Sequence, residues 1–180
     1  MKTMKSINHR SLLARVLVVL GGLGMLVGAL DPMEGSLLIL PGSGLVALGT
    51  FLGQGERRLI AYRVWVFVLI AIGVGAVWGL TAVGGLGGNS RHSMWWGVLI
   101  LPYLIGWSMG IWGPGSPRWM LWLGMAVSLW YLALAVMIQI HPRSEHRGYH
   151  VSIVIAALGV LTIGGCINRL RKQVSITSTA

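Results

Sequence analysis

Residues 64–83 read VWVFVLIAIGVGAVWGLTAV, twenty consecutive residues without a charged side chain. At ~1.5 Å per residue, a helix of this length spans ~30 Å, which matches the hydrocarbon thickness of a bilayer. Lipid offers no hydrogen-bond partners to an open backbone, so a helix is the conformation that satisfies every peptide group in the stretch. The segment therefore predicts a transmembrane helix.

Five more apolar segments of similar length surround this one. Together the six predicted spans run over about 12–30, 36–53, 64–83, 94–112, 119–140 and 151–167. Arg15 is the only charged residue within them, one turn from the start of the first span. A composition of 55% hydrophobic and 10% charged residues is rare in a soluble protein of 180 residues. The sequence predicts an all-α fold, a polytopic integral membrane helical bundle of six transmembrane helices.

The connections between these spans are short, none exceeding about ten residues. A soluble domain with its own core usually needs ~40 residues or more. We therefore expect residues 1–180 to form a single transmembrane domain with no soluble domain.

The basic residues divide unevenly between the two sides of this topology. Eleven of the fourteen lie on the side of the termini, whereas Arg91, Arg143 and Arg147 lie on the other side. Because cytoplasmic connections carry the excess of Lys and Arg, both termini are predicted to be cytoplasmic, in a bacterial inner membrane. The net charge of +10 then follows mainly from topology, with some attraction to anionic lipid. A nucleic-acid partner is not expected, because the basic residues are scattered and form no patch.

The N-terminus leaves an alternative open. Its basic start, its apolar run and the small residues Gly28 and Ala29 resemble a cleavable signal peptide. The run is long enough to span a bilayer if Arg15 extends to the interface, which favours an uncleaved first helix. Cleavage would leave five spans with the same orientation.

Glycine is heavily used, at 27 residues, and much of it lies at helix-packing spacing. Without a Cβ, two glycines four residues apart let a neighbouring helix approach closely, which matters where lipid offers no hydrophobic drive. Such a face can pack inside the bundle or dock on a partner, either other membrane protein subunits or a second copy. The candidate pairs are Gly24/Gly28, Gly49/Gly53, Gly75/Gly79 and Gly106/Gly110.

Two predicted spans contain a proline. The tripeptide Ile-Leu-Pro occurs at 39–41 and 100–102, and Gly42 follows the first copy. Proline removes a backbone donor, so a helix interruption is predicted at Pro41, Gly42 and Pro102. Paired broken helices often line a transport site. Because the spans lack Asp, Glu, His and Lys, an ion-coupled carrier is disfavoured, and a passive path for a neutral solute remains.

Histidines form the one constellation with metal-binding chemistry. His141, His146 and His150 lie in the connection between the fifth and sixth predicted spans. Imidazole is a good ligand for borderline metals, which makes these three residues candidate metal ligands. Arg143 and Arg147 would repel a cation, so ordinary polar loop histidines are the competing interpretation.

No sequence motif implies a cofactor. A pigment or quinone pocket could use the four tryptophans that lie deeper within the spans, although packing explains them as well. These residues are Trp78, Trp107, Trp122 and Trp130. A bound lipid is the third alternative.

No nucleophile is accompanied by a histidine or carboxylate at membrane depth, which disfavours an enzyme. A surface site built from Asp31, Glu34, Glu145 and the loop histidines could hold acid–base groups. All of these residues belong to the predicted extracytoplasmic face, so a reaction on lipid headgroups stays open there. The sequence favours a non-catalytic integral membrane subunit, an accessory, scaffolding or assembly component of a larger membrane complex. The alternative is a small passive channel or facilitator built on the second and fourth helices.

Overall fold

The computed structural model describes residues 9–31, 34–53, 55–84, 94–140 and 147–178. Every regular element in these ranges is helical, and none of them contains a strand, which confirms the all-α class. The helices are α1 (His9–Gly28), α2 (Ser36–Leu52), α3 (Arg57–Ala82), α4 (Leu101–Trp112), α5 (Arg118–Ile140) and α6 (Arg147–Ser178). A 3₁₀ segment, Met94–Ile100, leads directly into α4.

Four helical stretches are long and apolar enough to cross a membrane, judged by length and composition. They are His9–Gly28, Arg57–Ala82, Arg118–Met137 and Ile153–Ser175. Two shorter apolar helices, Ser36–Leu52 and Trp96–Trp112, coincide with the second and fourth predicted spans. These helices fit an integral membrane protein.

Two helices are longer than the apolar segments that predicted them. Helix α3 begins at Arg57 instead of residue 64, and α6 continues to Ser178 instead of residue 167. The apolar pattern reports only the part of a helix that lipid surrounds, whereas backbone hydrogen bonds continue into water. Exposed Arg57 and Arg58 occupy the first turn of α3, while Arg63 is buried one turn later.

The chain divides into two compact units, Met1–Trp107 and Ser108–Ala180, with the boundary inside α4. In the first unit, α1 and α2 form an antiparallel hairpin whose connection is closed by the Gly35 N–H donating to the Asp31 carbonyl at 2.7 Å. Helix α2 packs on α3, and α3 packs on the 3₁₀ segment. Buried apolar side chains from α1, α2 and α3 form its core, namely Met25, Ile39, Val46, Val66, Ile70 and Val74.

The second unit holds the end of α4 with α5 and α6. A tight turn joins α4 to α5, with Pro114 and Gly115 at its centre and the Ser116 N–H donating to the Gly113 carbonyl at 3.4 Å. Gly115 has φ +75°, which a residue with a Cβ rarely adopts. Helices α5 and α6 then run antiparallel, and a Cβ on Gly159 would lie 3.1 Å from Leu132 Cγ.

The two prolines lie in different helical settings. Helix α2 continues as an α-helix through Pro41 and Gly42, with the Ser43 hydroxyl donating to the Leu40 carbonyl at 2.8 Å. Pro102 is the second residue of α4, directly after the 3₁₀ segment, where a missing N–H is tolerated. Helix α2 therefore accommodates its proline without a break, and a kink there stays a prediction.

Candidate functional site

Small residues repeat every seven positions along both helices of the α1–α2 hairpin. An interval of seven residues returns to the same helix face, so each helix carries one stripe of small residues toward the other. Because the helices are antiparallel, residues equally distant from the connection meet. The pairs are Ala14 with Gly49, Gly21 with Gly42, and Gly28 with Gly35.

The backbones touch at these pairs. A Cβ on Gly42 would lie 2.8 Å from the Gly21 carbonyl oxygen and 3.0 Å from the Met25 nitrogen. A Cβ on Gly49 would lie 2.8 Å from the Ala14 carbonyl oxygen, and one on Gly21 would overlap the Gly42 carbonyl oxygen. Only glycine permits this approach, which gains dispersion and Cα–H···O contacts that lipid cannot supply.

Each of the two GxxxG pairs predicted on α1 and α2 has one glycine in the tight interface and one glycine at its edge. A Cβ on Gly28 would lie 2.7 Å from Ile39 Cγ1, which places Gly28 in the tight contact together with Gly49. Gly24 and Gly53 are looser, with the nearest side-chain or backbone atoms of the other helix at 3.4 Å. Sequence reasoning missed Gly21 and Gly35 and assigned Gly42 to a helix interruption, because it searched for packing glycines at intervals of four residues whereas the interface repeats every seven.

A second tight contact joins α3 to the start of α4. A Cβ on Gly106, a predicted packing residue, would lie 2.9 Å from Ile70 Cγ1. On the opposing helix, a Cβ on Gly73 would overlap the backbone of buried Tyr103. Gly73 escaped sequence reasoning because it has no glycine four residues away. Gly110, the partner of Gly106 in the predicted pair, is buried and belongs to the second unit.

Two tryptophans, Trp78 of α3 and Trp107 of α4, hydrogen-bond to the connected end of the hairpin. The Trp107 indole N–H donates to the Met25 carbonyl at 2.9 Å, in the last turn of α1, where carbonyls lack a full set of intrahelical donors. The Trp78 indole N–H donates to the hydroxyl of buried Ser36 at 3.2 Å, at the start of α2. Both indoles therefore have a packing role. Trp122 and Trp130 are exposed, as is much of the Trp78 side chain.

Gly75 and Gly79 have no such neighbour. Within the described part of the first unit, nothing lies within 4 Å of a Cβ placed on either residue. They share one side of α3 with Ile72 and Ala82, at intervals of three and four residues, and all four residues are exposed. We call these four residues the outer α3 face. At Gly75 and Gly79 this face is a groove with the larger Ile72 side chain beside it, and no described residue of the first unit fills that groove.

In the second unit, buried Thr162 of α6 is hydrogen-bonded to Ser108 of α4 at 2.9 Å and to the Leu158 carbonyl at 2.8 Å. One helical turn further along α6, a Cβ on Gly165 would lie 2.8 Å from the Trp112 ring. These contacts fix α6 against the end of α4.

A polar cluster continues this contact toward the end of α6. Arg169 Nε donates to the Trp112 carbonyl at 3.2 Å, where a cation is favoured by the C-terminal end of α4. Gln173 Nε2 donates to the Ser116 carbonyl at 3.3 Å, and Arg118 donates to the Gln173 carbonyl at 3.4 Å. The late turns of α6 thereby hold the turn between α4 and α5.

The predicted metal ligands His141 and His146 lie outside the described residues, as does the side chain of His150. Within the described ranges, no group of three or more His, Cys, Asp or Glu residues could hold a metal ion. The histidine hypothesis therefore stays a prediction from the sequence.

No protein family model, curated protein or solved structure matches the chain. Its function has to follow from its own residues.

Proposed function

We propose that the chain is a non-catalytic integral membrane subunit, an accessory, scaffolding or assembly component of a larger membrane complex, and that it docks through the outer α3 face. The observation that carries the proposal is the contrast among its glycines. Gly21, Gly28, Gly42, Gly73 and Gly106 each meet a neighbouring helix, whereas a Cβ on Gly75 or Gly79 would meet no described residue within 4 Å.

Each glycine in a helix interior costs ~1 kcal/mol relative to alanine. Close packing offsets that cost in the hairpin and at Gly73, whereas the described residues of the first unit provide no such contact at Gly75 and Gly79. A second helix seated in the groove would provide it through backbone approach and dispersion.

The sides of the groove also suit a helix. Ile72 is 56% exposed and Trp78 is 52% exposed, and both stand beside the two glycines. Lipid tails are as apolar as leucine, so exposed apolar side chains do not by themselves mark a docking site in a membrane. A partner helix instead recognises the shape of the surface. A groove between two large side chains supplies that shape.

Replacing both Gly75 and Gly79 with leucine is expected to release the partner while the purified chain stays folded. A Cβ at either position meets no described residue within 4 Å, and both positions are exposed, so the leucine side chains are expected to extend outward into the groove. The measurement is affinity purification from mildly solubilised native membranes, with size-exclusion chromatography of the variant. The expected result is a monodisperse chain that has lost its stoichiometric companion, whether a different subunit or a second copy.

Gly164→Leu provides the matched control. Gly164 of α6 is also exposed with nothing within 4 Å, but Val160 and Asn168 stand where a GxxxG partner would be. It adds the same volume to an apolar helix surface and should leave the complex intact. An unchanged complex in the Gly75/Gly79 variant would refute docking through this face.

The proposed topology has six spans with both termini cytoplasmic, in the inner membrane of a bacterium. Helix α2 has 17 residues and α4 with its 3₁₀ segment covers 19, from Met94 to Trp112. Seventeen residues of helix reach about 26 Å, within the mismatch that a bilayer accommodates by local thinning. The excess of basic residues on the side of the termini supports the orientation.

Cysteine labelling tests this topology in a Cys166→Ser background. A cysteine at exposed Glu34 is expected to react with an impermeant thiol reagent applied to intact cells, while cysteines at exposed Glu56 and Ser175 should react only after lysis. Glu34 and Glu56 flank α2, so a pair labelled from the same side would show that α2 does not cross. Labelling of Ser175→Cys from outside would reverse the proposed orientation.

The alternative of a passive channel on the second and fourth helices has less support. Gly42, beside Pro41, lies in backbone contact with Gly21 of α1. The proline-containing turn of α2 is therefore occupied by helix packing at the point where a solute path would need space.

A further inference from the structure

We draw no further inference here: the strongest candidate, the buried Ser128 hydroxyl at the contact between α5 and Gly159 of α6, has no hydrogen-bond partner among the described residues, but close packing leaves no space beside its oxygen for a ligand and nothing in that part of the chain shows what would bind it.

Discussion

Gly42→Leu is expected to unfold the α1–α2 hairpin. The new Cβ alone would lie 2.8 Å from the Gly21 carbonyl oxygen and 3.0 Å from the Met25 nitrogen. Both obstacles are backbone atoms, so the helices must separate to make room for the larger side chain. We expect a loss of at least ~3 kcal/mol, the upper range for overpacking.

The measurement is unfolding of the purified protein in micelles, followed by tryptophan fluorescence. Alanine variants supply a matched comparison, since Gly42→Ala and Gly24→Ala add the same methyl group to the same hairpin. Gly24 has its nearest interhelical neighbour at 3.4 Å, so alanine there should be neutral or stabilising by up to ~1 kcal/mol through helix propensity. Similar midpoints for the two alanine variants would contradict the tight Gly21–Gly42 contact.

Much of the hairpin register follows from its short connection. Gly28 with Gly35, Gly21 with Gly42, and Ala14 with Gly49 are each symmetric about the midpoint between residues 31 and 32. Two helices joined by so short a link must run antiparallel, and residues equidistant from the link then face each other. The facing positions could therefore be predicted from the sequence, once α1 and α2 were assumed to pack on each other.

The helical class and the positions of the apolar segments were predictable for a simple reason. Lipid forces a backbone of this composition into helices, so hydropathy suffices without knowledge of packing. The extension of α3 back to Arg57 was missed because the apolar pattern stops where water begins, although the helix does not.

The direction of each glycine face could not be read from the sequence. The pairs Gly24/Gly28 and Gly75/Gly79 have the same spacing, but one contains a residue in tight contact and the other faces away from its own unit. Which glycine pair lies in a helix contact depends on packing between residues far apart in the sequence. The hydrogen bond from Trp107 to Met25 joins residues 82 positions apart, and no local sequence pattern predicts it.

The clearest test of the outer α3 face compares two glycines that are two positions apart. Gly73 and Gly75 lie ~160° apart around α3, so one meets α4 while the other meets no described residue of the first unit. Gly73→Leu is expected to destabilise the protein by ~3 kcal/mol, because its Cβ overlaps the Tyr103 backbone.

Gly75→Leu is expected to leave the isolated chain as stable as the wild type or more stable by up to ~1 kcal/mol, because leucine has the better helix propensity. The same unfolding assay, run on both variants without any partner, measures the difference. A loss at Gly75 as large as that at Gly73 would mean that the isolated chain itself fills the groove, and the partner proposed for it would be excluded. If the Gly75 variant is stable but no longer assembles with its partner, the docking contact lies on α3, because the substitution then affects only the association.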